Sequence, residues 1–497
     1  MIFSLSEDKR FLIIEKCSEL ELEQLNISLT KRIKSWRFNP LVKRGVWDGY
    51  VSYIKNDKYI PAGLWKEVYE IAKQFQFEIQ FKNLTHIFDK NINQEDFTKW
   101  CMDFFEGNEL TPRDYQIETA YRILKFRKCM AELATSAGKT LISFLVVAYM
   151  LEKGLANRIL FIVPNVSLVI QATDDFQDYN LRNRIKVKIQ QIYAGKKLKP
   201  NKNLVIGTYQ SLIKKDKEFF SDFDGVIVDE THKAKAASIK TILSKCNAAR
   251  YRFGLSGTIP KKGTLDRLTL MSYTGPLINE VNASFLQDKG HIAKCKVSVI
   301  QMDYAAESSK RAFSELANNK YDRKKVFGLE CNYIITSNER LNFITNIIDK
   351  TTKNSLVLFY RIEHGERIYE RLRKTNKQVY YVDGGTDKEI REVYKSKMED
   401  NNNVILVASF GTFSTGISIK NIHNIFFTES FKSEIVIRQS IGRGLRLHKE
   451  KDVLSIIDFV DDLCYDGWKN YLYKHGEARQ AIYKEQKFPY DVKKVTF

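Results

Sequence analysis

Two carboxylates stand side by side in the stretch GVIVDETH, where Val226, Ile227 and Val228 run straight into Asp229 and Glu230. A short continuous apolar run reads as a strand buried on both faces, the kind found in parallel sheets. Adjacent like charges at its end are unfavourable unless a cation meets them. Upstream, ATSAGKT (134–140) supplies that cation and more. Gly138, Lys139 and Thr140 end a phosphate loop at the start of a helix, where backbone N–H groups attract phosphate oxygens. Ser136, Ala137 and Gly138 form the expected cradle. Lys139 would reach the β- and γ-phosphates of ATP, and the Thr140 hydroxyl would ligate Mg²⁺. Asp229 would hold the same metal through water, and Glu230 would orient and deprotonate the attacking water. The stricter loop pattern has glycine where this chain has Leu133. Read singly, each stretch also fits an ordinary strand–turn–helix; read together, they point to hydrolysis of a nucleoside triphosphate.

Such chemistry needs the carboxylate strand to end beside the phosphate loop, which parallel topology permits. The surrounding pattern has that topology. From about residue 106, apolar strands (RILFIVP 158–164, LVIGT 204–208, GVIVDE 225–230) alternate with helical stretches such as 138–154. This is βαβ logic and predicts a doubly wound parallel sheet. The alternation resumes after 286–300 with SLVLFY (355–360), QVYYVDG (378–384), VILVASF (404–410), NIFFTES (424–430) and LSIIDF (454–459). The expected fold is therefore α/β, with two parallel-sheet domains in tandem behind a small α+β N-terminal domain. The expected boundaries are 1–105, 106–285, 286–461 and a basic C-terminal extension, 462–497.

The chain has 497 residues, 43% of them hydrophobic, enough for about three domains with real cores. A formal charge of +20 favours a polyanionic partner, nucleic acid first. No apolar run reaches the roughly 18 residues of a spanning helix, and the N-terminus lacks a signal-peptide layout. Seven cysteines are scattered without a Cys-x-x-Cys pair, which predicts reduced thiols, a cytoplasmic setting and no structural metal. Between Gln24 and Trp47 there are six Lys or Arg residues (Lys31, Arg32, Lys34, Arg37, Lys43, Arg44) and no acid, interleaved with Trp36, Phe38 and Trp47. Arginine and aromatic groups together suit phosphate contact plus stacking. The same stretch also reads as a solvated basic edge.

The order of motifs resembles that of superfamily 2 helicases of the Asp-Glu-x-His type, whose two motor domains are RecA-like. TPRDYQ (111–116) is similar to the adenine-side motif, implying base contacts from Arg113 and Gln116 with Tyr115 nearby. FIVPNVSLVIQ (161–171) and GTYQSL (207–212) resemble motifs that hold a nucleic-acid backbone, implicating Pro164 and Thr208. LSGT (255–258) resembles the motif coupling hydrolysis to movement, with Ser256 and Thr258; His232 and Gln439 would share that coupling. ASFGTFSTGISIKN (408–421), with Gly416, and QSIGRGLR (439–446) resemble the second-domain motifs that face ATP. Many relatives carry an acid where this chain has Ser418. Residues three or four apart share a helix face, so Gln439, Arg443 and Arg446 are expected to form one polar stripe. From it an arginine would act on the γ-phosphate.

The flanks FNPLVKRGVWDGY (38–50) and YLYKHGEARQAIYKE (471–485) bring the resemblance closer, to the recombination and fork-remodelling helicases of T-even-like bacteriophages. That resemblance implies an ATP- and Mg²⁺-dependent DNA helicase of the host cytoplasm. Its partners would be branched DNA and single-stranded-DNA-binding or recombination proteins, with no membrane. Lys31, Arg32, Lys43 and Arg44 are the expected N-terminal DNA contacts. An RNA helicase and the motor subunit of a restriction-type translocase share the same motor motifs. A DNA-annealing scaffold with a relic ATP site fits poorly with an intact Lys139, Asp229, Glu230, Arg443 and Arg446 set.

Overall fold

The computed structural model describes the chain outside 181–182, 194–201, 232–235, 305–311, 313, 315, 317–321, 417–418, 465–466 and 497. It divides into two units, Met1–Val281 and Asn282–Phe497.

The first unit opens with a four-stranded sheet in the order β5 (Tyr59–Pro61), β2 (Phe11–Lys16), β1 (Ile2–Leu5), β6 (Gln80–Lys82). A short antiparallel pair, β3 (Thr30–Arg32) and β4 (Tyr50–Ser52), stands apart from it. Helix Glu19–Leu29 starts on a capping box, the Ser18 hydroxyl accepting from Glu21 N while Glu21 accepts from Ser18 N. Helix Trp65–Gln74 buries Val68, Ile71 and Ala72 on one face.

The same unit contains a seven-stranded, wholly parallel sheet. Its order is β13 (Leu277–Val281), β7 (Lys128–Leu133), β12 (Tyr251–Ser256), β11 (Gly225–Asp229), β8 (Ile159–Val163), β10 (Leu204–Thr208), β9 (Ile189–Ile192). The apolar runs that read from the sequence as strands are buried end to end, as a sheet covered on both faces requires. The N-terminal region does not keep a separate core. Phe3, Leu12, Ile60 and Val68 belong to one buried cluster with Met130, Leu160, Val226 and Leu277. Polar ties reinforce the join: Tyr53 Oη with Thr269 Oγ1 (2.5 Å) and Lys66 Nζ to the Leu277 carbonyl (3.1 Å).

The second unit is built on another parallel seven-stranded sheet. Its order is β16 (Gln378–Val382), β17 (Val404–Ser409), β15 (Ser355–Phe359), β18 (Asn424–Phe427), β19 (Val453–Asp462), β14 (Lys294–Asp303), β20 (Tyr490–Thr496). The two tandem parallel sheets and the small α+β region match the expected fold class.

The stretch set apart as a basic C-terminal extension is part of this sheet's architecture. Helix Tyr471–Glu485 packs on β19, and β20 completes the edge beside β14. Arg479 is fully buried and grips Asp458 of β19 through Nε (2.9 and 3.0 Å) and Nη2 (2.7 Å). Tyr483 Oη donates to the same carboxylate at 2.8 Å. At the helix start, the buried Glu330 carboxylate accepts from Tyr471 N and Leu472 N, both at 3.0 Å. Such a net needs every member, because a lone buried charge is far more costly than a pair.

Among the described residues no helix is long and apolar enough to cross a membrane. All seven cysteines are free, and burial pushes the Cys101 and Cys246 thiols up to about 12. Arg479→Ala leaves Asp458 buried without its cation. It should lower the unfolding free energy of the second unit by about 3–5 kcal/mol. Urea titration of the full chain reads this directly; an unchanged midpoint would show that helix Tyr471–Glu485 is held by apolar packing alone.

Candidate functional site

The site lies at the C-terminal ends of three neighbouring strands. β7 leads into the loop 134–138 and helix Lys139–Glu152; β11 delivers Asp229 and Glu230; β12 runs between them and ends at Ser256. The loop is tethered at both sides. Ala134 N donates to the Val281 carbonyl (2.7 Å), and Ala137 N to the Ala134 carbonyl (3.0 Å). Ser136 and Gly138 take left-handed backbone, φ 74 and 78. At Gly138 a side chain is excluded on two grounds, since a Cβ would also run into Gln116 Nε2. The loop then delivers the chain into the helix with the first-turn N–H groups of Lys139, Thr140 and Leu141 lacking intrahelical acceptors, as at every helix start.

Lys139 Nζ lies 3.4 Å from Glu230 Oε1 and 3.4 Å from the Leu133 carbonyl. Glu230 has a left-handed backbone, φ 49, and its N–H donates to Asp229 Oδ1 at 2.9 Å. This turn aims the two adjacent carboxylates differently. Gly257 N approaches Glu230 Oε2 at 3.5 Å. The sequence points to Ser256 and Thr258 in LSGT and passes over Gly257, whose main chain meets the carboxylate. Ser256 and Thr258 bind each other locally: Ser256 Oγ donates to the Thr258 carbonyl (2.6 Å) and accepts from Thr258 N (3.2 Å). Among the described residues the buried Thr258 hydroxyl finds no hydrogen-bond partner.

The motif at 111–116 reaches the loop from below. Arg113 precedes helix Asp114–Phe126, and its N–H donates to Gln116 Oε1 at 2.9 Å. Gln116 Nε2 and Tyr115 Oη both donate to the Ala137 carbonyl, at 3.0 and 2.9 Å. Gln116 and Tyr115 therefore brace the loop, a role that their spacing does not announce. Pro164 follows β8 and Thr208 ends β10, so neighbouring strands bring the two to one edge of the sheet. Thr208 is buried, and its Oγ1 accepts from Ser211 N at 3.4 Å to cap the next short helix.

In the second unit, helix Phe410–Gly416 contains Gly416, while Ser418 and, in the first unit, His232 lie outside the described residues. Helix Glu434–Gly444 carries Gln439 and Arg443. Gln439 and Arg443 stand four residues apart on it, as the expected stripe requires. The helix ends at Gly444 with Leu445 as its cap, so Arg446 lies beyond it, and Gln439 is buried. The helical spacing of the three residues runs on past the point where the helix stops. The Arg443 guanidinium sits 5.9 Å from the Phe413 ring centroid.

A second surface of the first unit is strongly basic. A cavity of about 1080 Å³ opens between the N-terminal region and the parallel sheet. Lys9, Arg10, Lys31, Arg32, Lys34, Lys55, Lys128, Lys240 and Arg252 line it, and Asp266, bonded to Lys34 at 3.1 Å, is the one carboxylate among the described lining residues. Burial, with Arg252 nearby, pushes the Lys128 ammonium down to about 8. Of the four predicted N-terminal contacts, Lys31 and Arg32 touch this cavity, whereas Lys43 and Arg44 project from the excursion between β3 and β4. Arg32 is engaged internally: its Nε donates to the Asp48 carbonyl at 3.1 Å, and its guanidinium stacks 3.3 Å from the Trp36 ring centroid.

Three family models match successive parts of the chain: the N-terminal model of the DNA helicase UvsW over 8–82, the res subunit of type III restriction enzymes over 109–261, and the helicase conserved C-terminal domain over 339–448. The chain is 31% identical to the ATP-dependent DNA helicase uvsW of Enterobacteria phage T4, covering 96% of both. It is 22% identical to the DNA 3'-5' translocase XPB2 of Sulfurisphaera tokodaii, over 82% of this chain and 95% of that one. The crystal structure of T4 UvsW superposes with a TM-score of 0.50 at 28% identity over the full length of both chains. A fragment of a putative HsdR subunit of a type I restriction enzyme from Vibrio vulnificus shares the fold at 17% identity (TM-score 0.57, 88% of this chain and 75% of that one).

Proposed function

Because the chain belongs to the UvsW family of ATP-dependent DNA helicases, we propose that its substrate is branched DNA, on which it migrates Holliday junctions, reverses forks and unwinds displacement loops. The observation that carries this reading is the basic N-terminal region built into one core with the first motor sheet. A motor that grips the sugar–phosphate backbone carries no information about branching. Telling a fork from a linear duplex takes a second contact on another arm. The acid-free stretch Lys31–Arg44 and the basic cavity beneath it are placed to make one without a flexible linker.

In the nucleotide site, Lys139 and the helix N-terminus hold the phosphates. A phosphate oxygen there competes with Glu230 for the Lys139 ammonium. The carboxylate so released orients the attacking water and takes its proton. The Thr140 hydroxyl and Asp229 are hard oxygen donors of the kind that suits Mg²⁺, and no group of three or more His, Cys, Asp or Glu among the described residues forms a metal cage of its own. That fits a metal arriving with the nucleotide, whose positive charge would offset charge on the β- and γ-phosphates. Arg113 and Gln116 serve the adenine side, Gln116 also bracing the loop. Arg443 and Arg446 are the cations acting on charge that develops in the transition state.

Three measurements test this. Lys139→Ala should abolish DNA-stimulated ATP hydrolysis in a protein that still folds; turnover near wild type would sink the phosphate-loop assignment. Glu230→Gln should bind ATP normally and hydrolyse it at least about a hundredfold more slowly, the usual contribution of a general base, while Asp229→Asn should weaken Mg²⁺-dependent nucleotide binding. Identical defects in nucleotide affinity and single-turnover rate would show that the two roles are wrongly split. Neutralising Lys31, Lys43 and Arg44 together should weaken binding to forked and four-way DNA more than to single strands. It should also shrink the salt slope by up to about 0.9 for each duplex phosphate that the variant no longer neutralises. Equal weakening on branched and linear DNA, or none, removes the case for branch recognition.

A further inference from the structure

Between β3 and β4 the chain leaves the fold for residues 33–49 and returns. The excursion is closed at its base, where Ile33 N donates to the Gly49 carbonyl at 3.0 Å. Gly49, at φ 84, is held so close that a Cβ would meet Trp36 Cβ at 2.8 Å. Arg32 lies between the Trp36 and Tyr50 rings, 3.3 and 4.8 Å from their centroids, and Trp47 Nε1 donates to the Tyr50 carbonyl at 2.8 Å. Further out, Asn39 Oδ1 accepts from Leu41 N at 2.9 Å to cap the turn Pro40–Lys43, and Val46 N closes onto the Leu41 carbonyl at 3.0 Å. The element is thus internally bonded from root to tip.

Its tip is nevertheless apolar and open. Phe38 is 79% exposed, Val46 72% and Leu41 48%. A hydrophobic residue just before a helix cap normally packs on the fourth helical residue, but here that position is Lys43. Arg37, Lys43 and Arg44 flank the apolar tip in the chain, and the Arg37 guanidinium lies 5.2 Å from the Trp36 ring centroid. Asp48, the one acid of the excursion, is exposed at its root, where its Oδ1 accepts from Tyr50 N at 2.9 Å. An internally bonded apolar point with cations beside it in the chain matches one kind of surface closely: a base pair with an uncovered face, flanked by phosphates on both strands. That surface exists where duplex arms part. Apolar side chains inserted at base steps are a known means of prising DNA stacks apart, and base–aromatic stacking tolerates any sequence.

We propose that residues 36–47 form a wedge whose Phe38 ring stacks on the terminal base pair at the branch point, with Leu41 and Val46 beside it. Arg37, Lys43 and Arg44 hold the phosphates of the diverging strands. The wedge rests on the branched-DNA reading and adds where the branch point sits. A protein partner docking on the same patch would need complementary acids and no DNA.

The test uses the full chain with a fork, a four-way junction and a linear duplex, each carrying 2-aminopurine either at the branch-adjacent pair or within an arm. Wild type without nucleotide should change the emission of the branch-adjacent probe and leave the arm probe as it was. Phe38→Ala, exposed and outside the core, should lose that change and bind the fork about tenfold more weakly, while linear-duplex affinity moves less than about twofold. Phe38→Trp should restore both. A branch signal that survives Phe38→Ala, or a variant indistinguishable from wild type on every DNA, overturns the wedge while leaving branch remodelling intact. A wild-type protein that binds fork and linear duplex equally fails the branched-DNA reading itself, and the wedge with it.

Discussion

The Lys139–Glu230 pair, 3.4 Å across the end of a parallel sheet, ties together two segments that the first unit's topology must bring to one place. Its partners stand about ninety residues apart in sequence and on strands that are not neighbours. Only when β12 lies between β7 and β11, all three parallel and in register, do the ends of the outer two face each other over the end of the middle one. Just past the end of the intervening strand, Gly257 N approaches Glu230 Oε2 at 3.5 Å. Neither charge is in bulk water, so an ammonium without a carboxylate, or the reverse, would be disfavoured there. On the proposed reading the same geometry makes the pair replaceable, because a phosphate would take the place of the carboxylate.

The second unit meets the problem of buried charge differently. β19 carries Asp458 and Asp461, both fully buried, and each has its own guanidinium. Asp461 accepts from Arg340 Nε (2.6 Å) and Nη2 (3.0 Å) and from Tyr304 Oη (2.8 Å). Asp458 fastens the C-terminal helix. Pairs like these contribute little net stability over apolar packing, yet they penalise any arrangement that separates them. They fix which helix lies on which end of the strand.

The repetitive parts of this architecture are legible in the sequence and the singular parts are not. Runs such as ILFIV and SLVLF announce buried parallel strands because both faces must be apolar. β9 (IQQI) and β20 (YDVKKVT) are edge strands, half polar, and carry no such mark. The lysines in β20 discourage further strand pairing at that edge, and they also give the segment the look of a basic tail. The phosphate loop and carboxylates are visible because their chemistry fixes residue type and spacing. Gln116 as a brace of the loop is not, since its partner is a carbonyl, which any residue supplies. Arg446 reads as helical because periodicity marks a face and says nothing about where the helix stops.

The docking of the N-terminal region fixes where it sits on the first parallel sheet. A linker would let that region bind and wander, adding only effective concentration. Here Tyr53, Lys66 and the shared apolar cluster bind it to helix Leu265–Thr274 and to β13, which lies beside the strand that leads into the phosphate loop. Helix Leu265–Thr274 follows LSGT directly in the chain, after 259–264. The N-terminal region is therefore seated on the segment that comes straight after the residues meeting the Glu230 carboxylate. On the proposed reading, a DNA arm at Lys31–Arg44 and a nucleotide at Lys139 would both sit on the one unit Met1–Val281, so a displacement of that unit would carry both.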